Sequence, residues 1–194
     1  MSREKGSTTI GSGKWKRTKI DFQASPGVRP TLSRHRKTMF DWLMHDLNNS
    51  TCLDLFAGSG ILGLECLSRN AKKVVFVDKN PMLIKSIHRH LINLKADAES
   101  YHLVSDDFML ALKELKAYKF DIIFIDPPYQ KIAIIDVLNA LLKFDLIFPA
   151  TSIIFEGKVV DLNQIGIMFD IMRIKTIKSA SYGLLKVISP LEKQ

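Results

Sequence analysis

The sequence predicts an α/β protein with a mostly parallel sheet, a C-terminal antiparallel hairpin, helices on both faces and a basic N-terminal arm ahead of the sheet. Three observations predict this fold. Short apolar strands alternate with helical patterns from residue 51, the last two strands flank a short turn, and the excess positive charge lies within residues 1–40. Continuous apolar strands that alternate with helices are typical of a parallel sheet covered on both faces. A chain of 194 residues is long enough to bury one substantial core.

The alternating region is made of short runs rich in Val, Ile, Leu and Phe with helical patterns between them. We predict strands at Thr51–Phe56, Lys73–Asp78, Tyr101–Val104, Phe120–Asp126 and Ser152–Glu156. We predict helices at about 60–69, 81–95, 107–116 and 131–143. After them, Phe169–Ile177 and Tyr182–Ile188 flank a Lys-Ser-Ala-Ser turn, which predicts an antiparallel hairpin at one edge of the sheet.

A further helix is predicted ahead of the first parallel strand. Ser33 is a good N-cap, and the helical pattern runs to about Leu47. The residues expected to face the core are Met39, Phe40, Leu43, Met44 and Leu47. The first turn contains Arg34, Arg36 and Lys37, and cations there oppose the helix dipole. Since a helix N-terminus is a natural anion site, we interpret these cations as phosphate ligands.

The net charge of +8 is concentrated at the N-terminus. Residues 1–40 contain ten basic and two acidic side chains, and the remaining residues sum to zero charge. This distribution is typical of a neutral domain with an arm that binds a polyanion, although a solvated tail is an alternative. Trp15 lies among Lys14, Lys16 and Arg17, where an aromatic ring can stack on a base. We therefore predict an RNA-binding arm over residues 1–32 and a catalytic domain over 33–194.

Several classes of protein are disfavoured by composition. No apolar run approaches the roughly 18 residues of a membrane span, and the basic N-terminus lacks the apolar core of a signal peptide. Cys52 and Cys66 lie in apolar stretches without metal-ligand spacing, which favours buried, reduced thiols in a cytoplasmic protein. We expect a monomer that binds no metal ion and does not associate with a membrane.

Glycines follow the first parallel strand at the spacing GxGxxG. Gly58, Gly60 and Gly63 form the pattern, and Asp78 ends the next strand 20 residues after Gly58. This spacing is typical of dinucleotide-binding loops, so an NAD-dependent dehydrogenase is one interpretation. Asp54, at the end of the strand that enters the loop, favours another. Its carboxylate would repel a pyrophosphate but attract the α-ammonium and sulfonium groups of S-adenosylmethionine.

The third strand is also followed by acids. Asp106 or Asp107 can accept a hydrogen bond from the adenine amino group of the cofactor, with Asp106 favoured, whereas the alternative role is N-cap of the next helix. Asp78 suits either cofactor, because both present a ribose diol to a strand-end acid. The residues predicted to bind the cofactor are Asp54, Phe56, Ala57, Gly58, Ser59, Gly60, Asp78, Lys79, Asp106 and Asp107.

The most specific pattern ends the fourth strand, where Asp126, Pro127, Pro128 and Tyr129 are consecutive. Two prolines remove two N–H donors, so the projecting groups are acceptors, namely the Asp126 carboxylate and main-chain carbonyls. Acceptors can hold the hydrogens of an exocyclic amino group and point its nitrogen at a methyl donor. Tyr129 can stack on the extruded base. A rigid turn is the alternative, but an NAD enzyme has no use for this group of residues.

Asp126-Pro127-Pro128-Tyr129 resembles the (Asp/Asn)-Pro-Pro-(Tyr/Phe) motif of amino-group methyltransferases. The whole chain resembles the RsmD family, bacterial guanine-N2 methyltransferases of small-subunit (16S) ribosomal RNA. The stretches that carry the likeness are Gly13–Arg17, Arg29-Pro30-Thr31 with Arg34 and Arg36, and Asp54–Glu65. The resemblance implies a Rossmann-like class I methyltransferase fold, S-adenosylmethionine as cofactor, and ribosomal RNA in the small subunit as substrate.

The chain departs from the family's usual pattern at two places. Asp78 stands where Glu is usual, which shortens the reach to the ribose hydroxyls, and Lys16-Arg17-Thr18 follows Trp15 where Arg-Gly-Arg is usual. The implied reaction is direct methyl transfer to the guanine amino nitrogen, with the surplus proton passing to Asp126 or water. The residues expected to contact RNA are Lys14, Trp15, Lys16, Arg17, Arg29, Arg34 and Arg36.

Three other functions share parts of this pattern. An adenine-N6 methyltransferase of DNA or RNA has the same motif. A glutamine methyltransferase also shares it, but gains nothing from a basic arm and favours Asn in place of Asp126. A non-catalytic RNA-binding module would explain the arm but would leave Asp54 and Asp126 without a role.

Overall fold

The computed structural model describes residues 5–23, 33–128, 132–158, 165–166, 169–177 and 180–187. The strands are β1 (Lys5–Thr9), β2 (Lys19–Gln23), β3 (Thr51–Asp54), β4 (Lys73–Val77), β5 (Tyr101–Val104), β6 (Ile122–Ile125), β7 (Ser152–Lys158), β8 (Phe169–Ile177) and β9 (Ala180–Val187). The helices are α1 (Ser33–Trp42), α2 (Ile61–Ser68), α3 (Pro81–Asn93), α4 (Phe108–Glu114) and α5 (Ile134–Lys143).

In the described ranges, seven strands form the central sheet in the order β5-β4-β3-β6-β7-β9-β8. The first five of these strands are parallel to one another, whereas β9 pairs antiparallel with both β7 and β8. The predicted parallel sheet and C-terminal hairpin are therefore confirmed. The hairpin extends the sheet at one edge, as expected.

The strand order reverses between β3 and β6. The chain leaves β3 for β4 and β5 on one side and returns to β6 on the other, and both β4 and β6 pair directly with β3. Ligands of open α/β sheets bind beyond the carboxyl ends of the strands at this reversal. Asp54 and Asp126, which end or follow these two strands, therefore lie on either side of the crevice.

Two hydrophobic clusters cover the two faces of the sheet. One joins apolar side chains of α1, α2 and α3 to one face, and Phe40, Phe76 and Phe124 are among its largest members. The other joins α4 and α5 to the opposite face, around Phe120 and Phe155. The prediction of helices on both faces is confirmed. In the part of the chain that the structure describes, no helix is long and apolar enough to cross a membrane.

Helix α1 is shorter than predicted. It ends at Trp42, and the following turn is closed by a hydrogen bond from the Asp46 N–H to the Leu43 carbonyl at 2.9 Å. Leu43 and Leu47 are buried as expected, but Met44 is 63% exposed, so the prediction that Met44 packs in the core is wrong. Because the turn replaces the helix here, the helical spacing no longer determines which side chains face inward.

The N-terminal basic segment forms a hairpin rather than a loose tail. Strands β1 and β2 pair antiparallel, and Ile10 and Ile20 are buried in the same cluster as α1 and α2. Gly13 has a φ of +82°, and a Cβ there would overlap the Ser68 carbonyl at the end of α2. Residues 5–23 therefore pack against the rest of the chain, which the predicted arm did not anticipate.

Candidate active site

The loop between β3 and α2 has the geometry that the GxGxxG spacing predicts. Gly58 and Gly60 adopt positive φ angles of 54° and 75°. The Ala57 N–H donates to the Val77 carbonyl at 2.8 Å, which holds the loop against β4. Gly63 lies one turn into α2, where a Cβ would overlap the Phe76 ring. The third glycine therefore lets the helix approach the sheet closely.

Asp54 ends β3 with its carboxyl group buried under this loop. Its exposed fraction is 2%, and Oδ2 accepts a hydrogen bond from the Gly63 N–H at 3.0 Å. Burial raises the pKa of Asp54 to about 7, an effect opposed by the Gly63 hydrogen bond and reinforced by the charge of Asp78. None of the ion pairs in the described ranges involves Asp54. A buried acid in this position fits a ligand that brings its own positive charge.

Asp78 follows β4 and fixes the glycine loop. Its Oδ2 accepts from the Gly58 N–H at 2.9 Å, and its Oδ1 accepts from the Asn80 N–H at 2.8 Å. Each carboxylate oxygen keeps a second lone pair, so the half-buried group can still accept from a ribose hydroxyl. Lys79 is exposed beside it. The ribose contact stays a prediction.

The two acids after β5 have different local roles. Asp107 is the N-cap of α4, and its carboxylate accepts from the Met109 N–H at 3.0 Å. Asp106 is half-buried, and its carboxylate accepts from the Asp107 N–H at 2.7 Å. The rings of Phe56 and Phe108 lie 5.6 Å apart between centroids. The capping alternative therefore holds for Asp107, which leaves Asp106 as the better candidate for the adenine amino group.

Asp126 directly follows β6, and the polypeptide then continues into the two prolines. Pro127 is buried and Pro128 is half-buried, whereas Tyr129 lies outside the described residues. Asp126 lines a small cleft at the carboxyl edge of the sheet. The other residues that line this cleft are Met39, Leu62, Phe124, Ile125, Ile154, Phe155 and Glu156.

Glu156 is the residue that the sequence interpretation missed. It lies on β7 directly after Phe155, the last residue that pairs with β6, and lines the cleft with Asp126. Its Oε2 is buried and has no hydrogen-bond partner among the described residues, and burial raises the pKa of its carboxyl. A strand-end acid in an otherwise apolar run was the pattern that could have identified it, as it identified Asp54.

The turn of the N-terminal hairpin presents cations to solvent. Lys14, Lys16 and Arg17 are exposed, and the Lys14 ammonium lies 4.6 Å from the Trp15 ring centroid. Trp15 is half-buried against the core, and its main-chain N–H donates to Ser68 Oγ at 2.9 Å. The turn is thus fastened to the C-terminal end of α2. Phosphate and base contacts here stay predictions.

Arg36, predicted to be a phosphate ligand, is buried in an ion pair with Glu65. Its side chain is 5% exposed, and Nε lies 3.2 Å from Glu65 Oε1. It also donates to Thr8 Oγ1 at 2.9 Å and to the Thr9 carbonyl at 2.6 Å. The cation opposes the dipole of α1 because it neutralises a buried acid on α2. Arg29 and the side chain of Arg34 lie outside what the structure describes.

The reversal of strand order, the glycine loop and the strand-end acids together define a class I methyltransferase, with S-adenosylmethionine as cofactor. The family described as "Conserved hypothetical protein 95" matches residues 8–186. The chain belongs to this family, the RsmD family, which confirms the resemblance seen in the sequence.

Named relatives and a solved structure agree with this membership. The Ribosomal RNA small subunit methyltransferase D of Haemophilus influenzae is 39% identical over 127 residues, which are 65% of this chain and 66% of that protein. Its namesake in Escherichia coli is 35% identical over 136 residues, 70% of this chain and 67% of that protein. The solved structure of a putative methyltransferase, yhhF from Escherichia coli, is 29% identical with a TM-score of 0.83 and covers 95% of this chain and 99% of its own.

Proposed function

We propose that this methyltransferase transfers the methyl group of S-adenosylmethionine to the exocyclic N2 amino group of a guanine in small-subunit (16S) ribosomal RNA. The observation that carries the proposal is the position of Asp126, Pro127 and Pro128 beyond β6, across the strand-order reversal from the buried Asp54. The names of the relatives, which specify ribosomal RNA of the small subunit, support the substrate.

The residues around the glycine loop suit the cofactor. S-adenosylmethionine supplies an activated methyl group on a positively charged sulfur. Asp54 offers a buried negative charge for the cofactor's cationic groups, and Asp78 and Asp106 offer acceptors for its ribose and adenine. The loop from Phe56 to Gly60, including Ala57 and Ser59, passes between them with a conformation set by its glycines.

The residues after β6 suit the amino group that is methylated. Its lone pair is delocalised into the ring, so it is a poor nucleophile until its hydrogens are held by acceptors. The Asp126 carboxylate accepts one of them, and the consecutive prolines present carbonyls without competing N–H donors. Asp126 also takes up the surplus proton, directly or through water. Tyr129 provides a face for the extruded base, and positioning in a desolvated cleft supplies most of the rate.

The hairpin turn suits the RNA backbone. Lys14, Lys16 and Arg17 are exposed on a turn fastened to Ser68, the last residue of α2, and offer positive charge to the phosphates of RNA. Two free, buried cysteines, Cys52 and Cys66, support a cytoplasmic protein, where ribosomal RNA is found. We expect the protein to act as a monomer without a metal ion.

The test is nucleoside analysis of small-subunit particles from cells that lack the protein, incubated with the purified chain and S-adenosylmethionine. We expect mass spectrometry to find new N2-methylguanosine, and no product with the Asp126→Ala variant. N6-methyladenosine as the only new nucleoside would assign the adenine-N6 alternative instead. RNA binding without any methylated product would indicate a non-catalytic binding module.

A further inference from the structure

Asp126 and Glu156 lie side by side at the carboxyl edge of the sheet. Strands β6 and β7 are parallel, with Ile125 paired to Phe155, so Asp126 and Glu156 are the next residues on each strand. Phe124 and Ile154, two residues earlier, both face the cluster that contains α1 and α2. Because side chains alternate along a strand, Asp126 and Glu156 face that side too, and both line the same cleft.

Within the ranges that the structure describes, no hydrogen bond explains why the side chain of Glu156 ends in a carboxyl group. Its Oε2 is buried and has no hydrogen-bond partner in the described part of the chain. Directly across the antiparallel ladder is Tyr182, whose ring stacks on His35 at 4.7 Å between centroids. Burial raises the pKa of the Glu156 carboxyl because its charge loses hydration. Buried polar groups without partners are rare in native proteins, and a catalytic or binding role is one of the explanations for them.

We propose that Glu156 binds the N1–H of the target guanine while Asp126 holds the neighbouring N2 amino group, which makes Glu156 the residue that selects guanine over adenine. The inference rests on the proposed function and deepens it. Guanine carries two donors, N1–H and the N2 amino group, next to each other on one edge. Two adjacent carboxylates match that edge when both are ionised, because an ionised carboxylate only accepts. The two donors of guanine favour the ionised forms and so oppose the burial that raises the pKa of Glu156.

The same pair of acids rejects adenine. The N1 atom of adenine is an acceptor, so it would face an ionised Glu156 with no hydrogen between them. A site built to bond a donor discriminates strongly against an analogue that lacks it, because its own buried group is then left unpaired. The amino-group motif alone permits either purine, so the selection needs a second residue. Glu156 is the acid that the structure places beside the motif.

The experiment compares guanosine with 2-aminopurine at the mapped target nucleotide of small-subunit particles reconstituted from synthetic RNA. 2-Aminopurine keeps the N2 amino group, but its N1 is an acceptor. The enzymes are the wild type, Glu156→Gln, and the control Glu114→Gln, an exposed residue at the end of α4. For the wild type and the control, we expect kcat/KM to be about 100-fold or more lower on 2-aminopurine than on guanosine.

In Glu156→Gln, the ratio of kcat/KM on guanosine to kcat/KM on 2-aminopurine should fall to about tenfold or less. The Gln amide can donate to the 2-aminopurine N1 and does not repel it. Cofactor binding by calorimetry verifies that the variant is folded. Equal rates of the wild type on both bases would overturn the proposal without recourse to any variant. An unchanged ratio in a folded Glu156→Gln would overturn it as well. N6-methyladenosine as product would instead overturn the proposed function, so the two failures are distinguishable.

Discussion

Arg36 on α1 and Glu65 on α2 form a buried ion pair, with Nε and Oε1 3.2 Å apart and side chains 5% and 2% exposed. The same Glu65 oxygen accepts the Gly11 N–H at 2.6 Å, and Arg36 donates to Thr8 Oγ1 and the Thr9 carbonyl. Two residues thus connect α1, α2 and the basic hairpin. The hairpin that carries the exposed cations is thus held in place by an ion pair that is almost fully buried.

Arg36→Met should therefore destabilise the protein and leave its affinity for RNA largely unchanged. Removing the guanidinium leaves Glu65 with one cation, Arg69, whose Nε lies 3.2 Å from Oε2, so we expect a loss below the about 3–5 kcal/mol of a fully unpaired buried charge. Urea unfolding measures the loss. The control is Lys37→Met, exposed on the same turn of α1, which we expect to change stability by at most about 0.5 kcal/mol. Wild-type stability with weakened RNA binding would instead restore Arg36 as a phosphate ligand.

Exposed cations of the hairpin turn should supply much of the electrostatic affinity for RNA. The slope of log K against log salt is negative. Changing Lys14, Lys16 and Arg17 together to Gln should reduce its magnitude by about 2–3, at roughly 0.7–0.9 per phosphate contact. Deleting residues 1–19 would be a poorer test, because it also removes the buried Ile10. A salt titration of RNA binding provides the measurement.

The matched control removes three exposed cations from the opposite face of the sheet. Lys113, Lys116 and Lys143 lie at the ends of α4 and α5 or just beyond, away from the hairpin. Their replacement by Gln should leave the slope within about 0.5 of the wild-type value. An equal reduction of the salt slope in the two triple variants would mean that RNA affinity depends on the net charge of the protein and not on the hairpin turn.

Asp54 should couple cofactor binding to pH. With a pKa of about 7, the buried carboxyl is partly protonated in the free protein at neutral pH, and a cationic cofactor favours its ionised form. Binding should therefore release a proton, and affinity should rise up to about tenfold per pH unit between pH 5.5 and 7. Calorimetry in buffers of different ionisation enthalpy counts the proton. Asp54→Asn keeps an acceptor for the Gly63 N–H, but should bind more weakly and with a flatter pH profile.

The raised pKa of Asp54 also makes the stability of the protein depend on pH. The folded pKa lies above the ordinary value of 3.8, so the folded chain holds this proton more tightly than the unfolded chain. The stabilising contribution is complete below pH 3.8 and declines as pH rises, by about 1.4 kcal/mol per unit, until pH 7. Thermal melts of Asp54→Asn between pH 5 and 7 should lack this component. Identical pH profiles in wild type and variant would contradict the shifted pKa.

The sheet could be predicted from the sequence because each parallel strand is a continuous apolar run, and the strand-end acids Asp54 and Asp126 stand out against it. Arg36 could not be placed correctly, since its partner Glu65 lies 29 positions away on a helix whose every residue is buried. Met44 was misplaced because the helical spacing stops at Trp42. Glu156 ends an apolar run in the sequence, but its position beside Asp126 follows from the pairing of β7 with β6, which local sequence does not determine.

Asp126 should be required for methyl transfer and not for cofactor binding. Asp126→Ala removes an acceptor held at the cleft before the reaction begins, and losing one such hydrogen bond in the transition state costs roughly 100-fold or more in rate. Asp126→Asn should retain part of the activity, because its amide oxygen still accepts a hydrogen from the amino group, although it cannot take up the proton. Single-turnover rates with cofactor bound in advance separate chemistry from binding, and calorimetry measures the cofactor affinity of each variant. The control is Asp170→Ala, an exposed acid on β8 away from the cleft, which should behave as the wild type. A full single-turnover rate in Asp126→Ala would exclude the residue from the reaction, whereas lost cofactor affinity in the same variant would move its role to the other side of the crevice, beside Asp54.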